Sequence, residues 1–276
     1  MKIALLQTPV VMDKQQNITN ACAQIREAAR NGAKLVILPE MFNCPYSSDY
    51  FPSYAEPEGG SSWSAMAQCA ADNGVCLVAG SMPEEANGKI YNTAYVFDPT
   101  GKQIAKHRKM HLFDVEFDGG QFFRESDTFT PGDTVTTFDY DGMTFGLCIC
   151  FDMRFPELSR LMALRGAQAT IVPAAFNMTT GPRHWETMFR QRAVDDQLYT
   201  IGVAPARDEH GVYVSYANSL VCSPMGQVLT RADEVPCILY ADLDQAEITS
   251  TRRQLPLLRA RRQDVYTIKT NNEKEI

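Results

Sequence analysis

The sequence predicts an α/β protein of the α+β kind, in which two mixed sheets pack face to face with helices outside. Three observations lead there. Mostly apolar runs at residues 3–8, 34–39 and 169–173 alternate with stretches of helical spacing. Each half of the chain also supplies a hairpin with a Pro-x-Gly turn. The halves echo one another: Val96-Phe97-Asp98-Pro99-Thr100-Gly101-Lys102-Gln103-Ile104 resembles Val221-Cys222-Ser223-Pro224-Met225-Gly226-Gln227-Val228-Leu229, and Leu38-Pro39-Glu40 resembles Val172-Pro173-Ala174. No low-complexity linker separates them. One domain is therefore expected over 1–268, with a polar tail over 269–276.

The elements follow in order. Residues 3–8 read as a buried strand. From Asn17 to Asn31 the spacing is helical, with Ile18, Cys22, Ile25 and Ala29 on one face and Gly32 as the stop. Lys34 to Pro39 is an apolar strand with Glu40 at its end. Residues 61–73 predict a helix and 75–80 a third strand. Ile90 to Phe97 alternates, Asp98-Pro99-Thr100-Gly101 is a turn, and Lys102 to His107 returns. From Met110 to about Gly132 periodicity fails, and a loop of that length is usually functional. Strands are expected at 134–139 and 143–150, then a helix from Pro156 to Arg165 closed by Gly166. A strand at Ala169–Pro173, a helix at His184–Gln197 and a strand at Leu198–Ala204 come next. A hairpin at Asn218–Leu229, a strand at Cys237–Asp242 and a short helix at Leu243–Arg253 complete the series.

Of the 276 residues, 45% are hydrophobic and 21% charged, which is ordinary for a globular domain. No apolar run is long enough to cross a bilayer. Met1 to Gln7 is too short for a signal peptide and lacks a cleavage pattern, so a cytoplasmic location is expected. The net charge of −7 argues against a nucleic-acid partner. Arg252, Arg253, Arg259, Arg261 and Arg262 gather near the C-terminus and read as a solvated face or as ion pairs between subunits. The eight cysteines (Cys22, Cys44, Cys69, Cys76, Cys148, Cys150, Cys222 and Cys237) form no C-x-x-C pair. Several lie in apolar runs, a usage that suits a reducing compartment.

Three segments set a reactive side chain at the end of an apolar strand: Leu35 to Glu40, Ile104 to Lys109, and Gly146 to Cys150. The last runs on as Phe151-Asp152-Met153-Arg154-Phe155-Pro156-Glu157, which opens a helix. A thiol at a helix N-terminus is expected to have a lowered pKa. Together the three residues make a workable machine. Cys150 attacks a carbonyl carbon. Glu40 takes the thiol proton and later activates water. Lys109 holds the developing oxyanion. Alternation alone does not choose between Cys148 and Cys150, nor the charge run between Lys109 and its basic neighbours Lys106, His107 and Arg108.

The chain resembles the nitrilase superfamily of carbon–nitrogen hydrolases from Ile3 to about Tyr266, and most of all its omega-amidase branch. Four motifs in order carry the likeness: Pro39-Glu40-Met41-Phe42-Asn43-Cys44-Pro45-Tyr46, His107-Arg108-Lys109-Met110-His111-Leu112-Phe113-Asp114, Cys150 to Glu157, and Ala175-Phe176-Asn177-Met178-Thr179-Thr180-Gly181-Pro182-Arg183-His184-Trp185-Glu186. The resemblance implies a four-layer αββα sandwich, pairing into a homodimer or higher homo-oligomer. It implies a triad of Glu40, Lys109 and Cys150, and no cofactor or metal. It implies a small-molecule amide as substrate: the terminal amide of 2-oxoglutaramate or 2-oxosuccinamate, released as ammonia and a dicarboxylate. A second glutamate is expected in the loop after the lysine, with Glu125 preferred over Glu116. Tyr46, Phe151, Arg154, Phe176 and Thr180 are the expected substrate contacts. Phe151 stands where many relatives carry tyrosine, and Arg183 where a smaller residue is expected.

Three points stay open on residues alone. Arg154 reads equally as the reader of a distal carboxylate and as an ion pair with Asp152 or Glu157. His107 and His111 have a helical metal spacing but sit after a strand with no third ligand in view. The same machinery would serve deaminated glutathione or an N-carbamoyl compound, and a silent scaffold protein is the alternative outside enzymes.

Overall fold

The computed structural model describes residues 1–116 and 122–271. β1 (Lys2–Gln7) and β2 (Leu35–Ile37) are apolar and buried, with α1 (Lys14–Arg30) between them. Asp13 caps α1 by accepting from the Gln16 N–H, a contact worth about 1 kcal/mol. Ile18, Ala21, Ile25 and Ala28 form its buried stripe. The helix begins before the first apolar residue because its first turn is wholly polar. A short α2 (Phe51–Tyr54), not foreseen, precedes α3 (Ser61–Asn73). β3 (Cys76–Ala86), β4 (Lys89–Phe97) and β5 (Gln103–Arg108) follow.

The segment expected to be irregular holds a small antiparallel hairpin of β6 (Asp114–Glu116) and β7 (Phe122–Arg124). Strands of three residues are too short for periodicity to register. Residues 117–121 of that segment, and 272–276 of the expected tail, lie outside the described residues. Then come β8 (Thr136–Tyr140), β9 (Met143–Leu147), α4 (Pro156–Leu164), β10 (Ala169–Pro173) and α5 (Gly181–Asp196). β11 (Tyr199–Val203), β12 (Leu220–Cys222), β13 (Val228–Arg231), β14 (Cys237–Asp242) and α6 (Gln245–Gln254) close the chain. α5 starts ahead of His184 because Pro182 fits a first turn, where its missing N–H has no partner to lose.

Two six-stranded sheets result, in the orders β14-β1-β2-β3-β4-β5 and β13-β12-β11-β10-β9-β8. In the first, β1, β2 and β3 run parallel, flanked by antiparallel β14 on one side and by β4 and β5 on the other. In the second, β9, β10 and β11 run parallel, flanked by β8 and by β12 and β13. The strand orders and directions match, except that edge strand β14 comes from the end of the chain while its counterpart β8 leads directly into β9, and the sequence echo falls on equivalent strands. One face of the first sheet (Ile3, Leu5, Leu35, Ile37, Val78) shares a core with the second (Phe145, Leu147, Ile171, Ile201). Its other face (Ala4, Leu6, Val36, Leu38, Leu77) packs under α1 and α3, through Ile18, Ile25 and Met66. Trp185 and Phe189 of α5 and Met162 of α4 cover the second sheet. These are the four layers, helix–sheet–sheet–helix.

One pair of cysteines departs from the usage expected of a reducing compartment. Cys22 on α1 and Cys69 on α3 form a disulfide, with Cα atoms 6.0 Å apart. They are 47 residues apart in sequence, and only the packing of the two helices brings them together. Of the C-terminal arginines, Arg252 ties α6 to the carbonyls of Gln197 and Ala167, and Arg262 pairs with Asp264. Among the described residues no helix is long and apolar enough to cross a membrane.

Candidate active site

The C-terminal ends of the parallel strands converge where the two sheets meet. β2 runs out through Leu38 and Pro39 to Glu40, and Met41 then turns with φ +53°. Gly80 on β3 makes room there, since a Cβ on it would lie 2.0 Å from the Pro39 carbonyl oxygen. β5 ends at Arg108, followed by Lys109. β9 ends at Leu147, and Cys150 opens a 3₁₀ turn to Arg154 with φ +47°. A left-handed cysteine is a strained position held by its surroundings. It also resolves the Cys148 ambiguity: the strand stops before alternation reaches Cys150, so the two thiols part and Cys148 stays in the core.

Glu40, Lys109, Glu125 and Cys150 are all buried. Lys109 Nζ lies 2.9 Å from Glu40 Oε1 and 2.8 Å from Glu125. Asn92 on β4 donates to the same Glu40 oxygen at 2.9 Å. Glu40 Oε2 has no ordinary hydrogen bond, and the Cys150 thiol is the neighbour left to that carboxylate. Glu125 is fixed by the Tyr46 hydroxyl at 2.7 Å and the Phe113 N–H at 2.6 Å. Glu116 is exposed on β6 and takes no part. A backbone hydrogen bond from Ala175 reaches the thiol.

The electrostatics correct one expectation. The Cys150 thiol is not acidified. Burial raises its pKa well above the ordinary thiol value, the Glu40 carboxylate raises it further, and Lys109 with the Ala175 bond only partly offsets them. Burial likewise raises Glu40, against the pull of Lys109. Burial would depress Lys109, but Glu125 and Glu40 outweigh it and hold the ammonium charged. The resting site is therefore a protonated thiol beside a carboxylate able to take its proton, with a fixed cation alongside.

Asp152 was expected only as a partner for Arg154, and its role is different. It is fully buried and accepts from the backbone N–H groups of Ile149, Met110 and His111 at 3.0, 3.1 and 2.8 Å. His107 Nε2 and His111 Nδ1 contact it at 3.0 and 2.8 Å. Burial would raise this carboxyl, but the bonds from His107, His111 and Ile149 hold it far below the usual range. One carboxylate thus straps the chain around Lys109 to the turn that carries Cys150. The two histidines that suggested a metal converge on it, and among the described residues no side-chain group is arranged to hold a metal ion.

Arg154 consequently has no carboxylate partner among the described residues. Its guanidinium lies over the Phe176 ring at 4.9 Å, its Nη1 is 3.1 Å from His184 Nδ1, and burial lowers its pKa. Arg154, Cys150, Phe113, Phe151, Phe176 and Thr180 line a cavity of about 210 Å³. The Thr180 hydroxyl is bonded to Asn177. A second, more open cavity of about 450 Å³ reaches Glu40 and is lined by Cys44, Tyr46, Ala175 and Tyr213. Tyr46 therefore sits on the Glu40 side, its hydroxyl committed to Glu125. The Tyr213 ring packs on Tyr46 with centroids 4.7 Å apart, and its hydroxyl donates to the Ala175 carbonyl at 2.5 Å. Tyr213, Asn92 and His184 were missed as site residues. Tyr213 lies in a segment with no periodicity, and Asn92 in a strand that reads as framework.

The comparisons with known proteins agree with this fold. The model of the carbon–nitrogen hydrolase family matches residues 2–253. Omega-amidase NIT2 from Mus musculus is 47% identical over 269 residues, covering 98% of each chain. Among solved structures, Saccharomyces cerevisiae Nit3, a member of branch 10 of the nitrilase superfamily, is 40% identical with a TM-score of 0.87, covering 95% of this chain and 96% of that one. An amidase of the same superfamily from Nesterenkonia is 27% identical with a TM-score of 0.78, over 96% and 98%. The chain belongs to the carbon–nitrogen hydrolase family of the nitrilase superfamily. Within it, this is a hydrolase of carbon–nitrogen bonds other than peptide bonds, an amidase similar to the omega-amidases.

Proposed function

We propose that this amidase removes the terminal amide of a small 2-oxo dicarboxylic monoamide, 2-oxoglutaramate or 2-oxosuccinamate, through a thioester on Cys150. The observation that carries the reading is an arginine without a carboxylate partner, Arg154, in the cavity that holds the Cys150 thiol. A half-buried guanidinium facing a small aromatic pocket suits a carboxylate-bearing chain.

The steps follow the geometry. Glu40 takes the thiol proton as Sγ attacks the amide carbon. The Lys109 ammonium, with a backbone N–H of the Cys150 turn, meets the oxyanion. The C–N bond breaks, and ammonia leaves with the proton from Glu40. A water then gives its proton to Glu40 and attacks the thioester. The acid departs, and Sγ takes the proton back. Glu125 keeps Lys109 charged and in place. A glutamate-to-glutamine mutant of the similar Nesterenkonia amidase, which shows the result of Michael addition of acrylamide at its active-site cysteine, supports a nucleophilic role for Cys150.

Ammonia release from 2-oxoglutaramate, with deaminated glutathione and N-carbamoyl-β-alanine in parallel and Cys150→Ala as blank, tests the proposal. Turnover of 2-oxoglutaramate well above the other two is expected. Preference for either of the others would overturn the substrate, and activity in Cys150→Ala would overturn the mechanism.

A further inference from the structure

Arg154 is held at both ends. Arg192 on α5 donates to the carbonyls of Met153 and Arg154, both at 3.1 Å, and fixes the main chain. At the other end Nη1 donates to His184 Nδ1 at 3.1 Å and touches Met188 Sδ at 3.6 Å. Nη2 and Nε have no protein partner among the described residues, which leaves one edge of the guanidinium for a ligand. His184 is exposed on the first turn of α5, against the Arg154 that lines the Cys150 cavity. A nitrogen accepts from a guanidinium only when it carries no proton, so the imidazole in this contact is neutral, with its proton on Nε2.

We propose that His184 is the positioning residue of the carboxylate subsite: its unprotonated Nδ1 aims Arg154, and protonation of the imidazole releases the arginine and relaxes selection for carboxylate-bearing amides. The proposal rests on the reading of Arg154 given above. Holding the guanidinium in its bound position removes an ordering cost from binding. Protonation converts the acceptor into a donor and sets two cations side by side. The charged groups facing His184 are Arg154, from the turn after β9, and Arg183 on its own helix; no carboxylate faces it among the described residues. Burial, then Arg154, then Arg183 hold its pKa below the ordinary imidazole value, so the arginine stays aimed at neutral pH and is released only in acid. Arg183, unexplained as a motif departure, is one of the charges that keep the imidazole neutral.

The test compares two substrates over pH 5–9: 2-oxoglutaramate, and levulinamide, which has the same chain without the carboxylate. For the wild type, KM for 2-oxoglutaramate is expected to rise as the pH falls below the ordinary imidazole range, with kcat tracking that of levulinamide. His184→Leu is expected to raise that KM about tenfold at every pH, equivalent to about 1.4 kcal/mol, and to leave levulinamide unchanged. His184→Asn keeps an acceptor that does not titrate, so KM should stay low and lose its acid rise; this variant also answers the question if the leucine variant fails to fold. A wild-type KM profile in both variants, or tighter binding of 2-oxoglutaramate in acid, would overturn the proposal. Arg154→Leu separates it from its premise. Equal effects of that variant on both amides would bring down the carboxylate reading itself, whereas selective loss of 2-oxoglutaramate with His184→Leu silent would bring down only the role of His184.

Discussion

The two halves of this chain build the same sheet and only one site. In the ladders, Ile3 pairs with Leu35 in the first half, and Phe145 with Ala169 in the second. Counting the same distance along each strand makes Thr8 the counterpart of Cys150 and Ala174 the counterpart of Glu40. The hairpin echo makes exposed Glu234 the counterpart of buried Lys109. The frameworks agree down to the proline before Glu40 and before Ala174, yet the proposed chemistry is divided without symmetry: base and cation from one half, nucleophile from the other. The backbone supplies strand ends that face a common cleft. The side chains, and the left-handed turn at Cys150, supply function.

The largest contrast to break is at the paired strand ends. Cys150→Ala is expected to lower amidase turnover by at least about 10³-fold, by removing the covalent route, with circular dichroism unchanged. Thr8→Val at the equivalent position is expected to leave turnover within about twofold. Its buried hydroxyl has no partner, so its replacement by a group of similar shape should change stability by less than about 1 kcal/mol, in the favourable direction. A large loss in Thr8→Val would mean that the end of β1 also takes part in the reaction.

Next comes the strap, which has no counterpart in the first half. Asp152→Asn turns part of a charged acceptor into a donor facing the N–H groups of Ile149, Met110 and His111. A stability loss of at least about 2 kcal/mol is expected in denaturant unfolding, together with a lower kcat, because Lys109 and Cys150 lose their common anchor. The pH dependence has a definite sign. A carboxyl whose pKa is depressed in the folded state stabilises the fold above its unfolded value and loses that contribution as pH falls. Wild-type stability should therefore drop below about pH 4, and the asparagine variant should show a shallower acid slope. Equal slopes would count against the strap.

The helical layers give the third contrast. α1 and α3 over the first sheet are joined by Cys22–Cys69. α4 and α5 over the second meet through Asp196, which contacts Ser159 at 2.5 Å and Arg160 at 3.0 Å. A bridge closing a loop of that length stabilises by about 4 kcal/mol in the chain-entropy account. Cys22→Ser should lower the unfolding midpoint of the oxidised protein and leave kcat/KM unchanged, since neither cysteine reaches the cleft. An unchanged midpoint would show that the bridge does not form in solution.

Much of this is legible in the sequence. The apolar runs placed most strands to within a few residues, although β3 continues through a more polar stretch to Ala86, and the Pro-x-Gly echo announced two like halves. Glu40, Lys109 and Cys150 emerged as strand-end residues and became a triad through family resemblance. What the sequence withheld depends on three-dimensional neighbours. Proximity to His107 and His111, rather than to Arg154, decides what Asp152 does. Burial and Glu40 override the acidifying position of Cys150. Glu125 is separated from Lys109 by a hairpin too short for periodicity, and only its contacts with Lys109, Tyr46 and Phe113 distinguish it from Glu116. Cys22 and Cys69 carry no spacing signature at all.

The central claim is that the amide is opened by a thiol from one half, deprotonated by a carboxylate from the other. Rapid acid quenching during turnover of 2-oxoglutaramate, followed by intact-mass and peptide mapping, tests it most directly. The account predicts an acyl adduct on the peptide carrying Cys150, which disappears when substrate is exhausted and never forms in Cys150→Ala. Steady turnover with no adduct at any time, and residual turnover in Cys150→Ala, would contradict it.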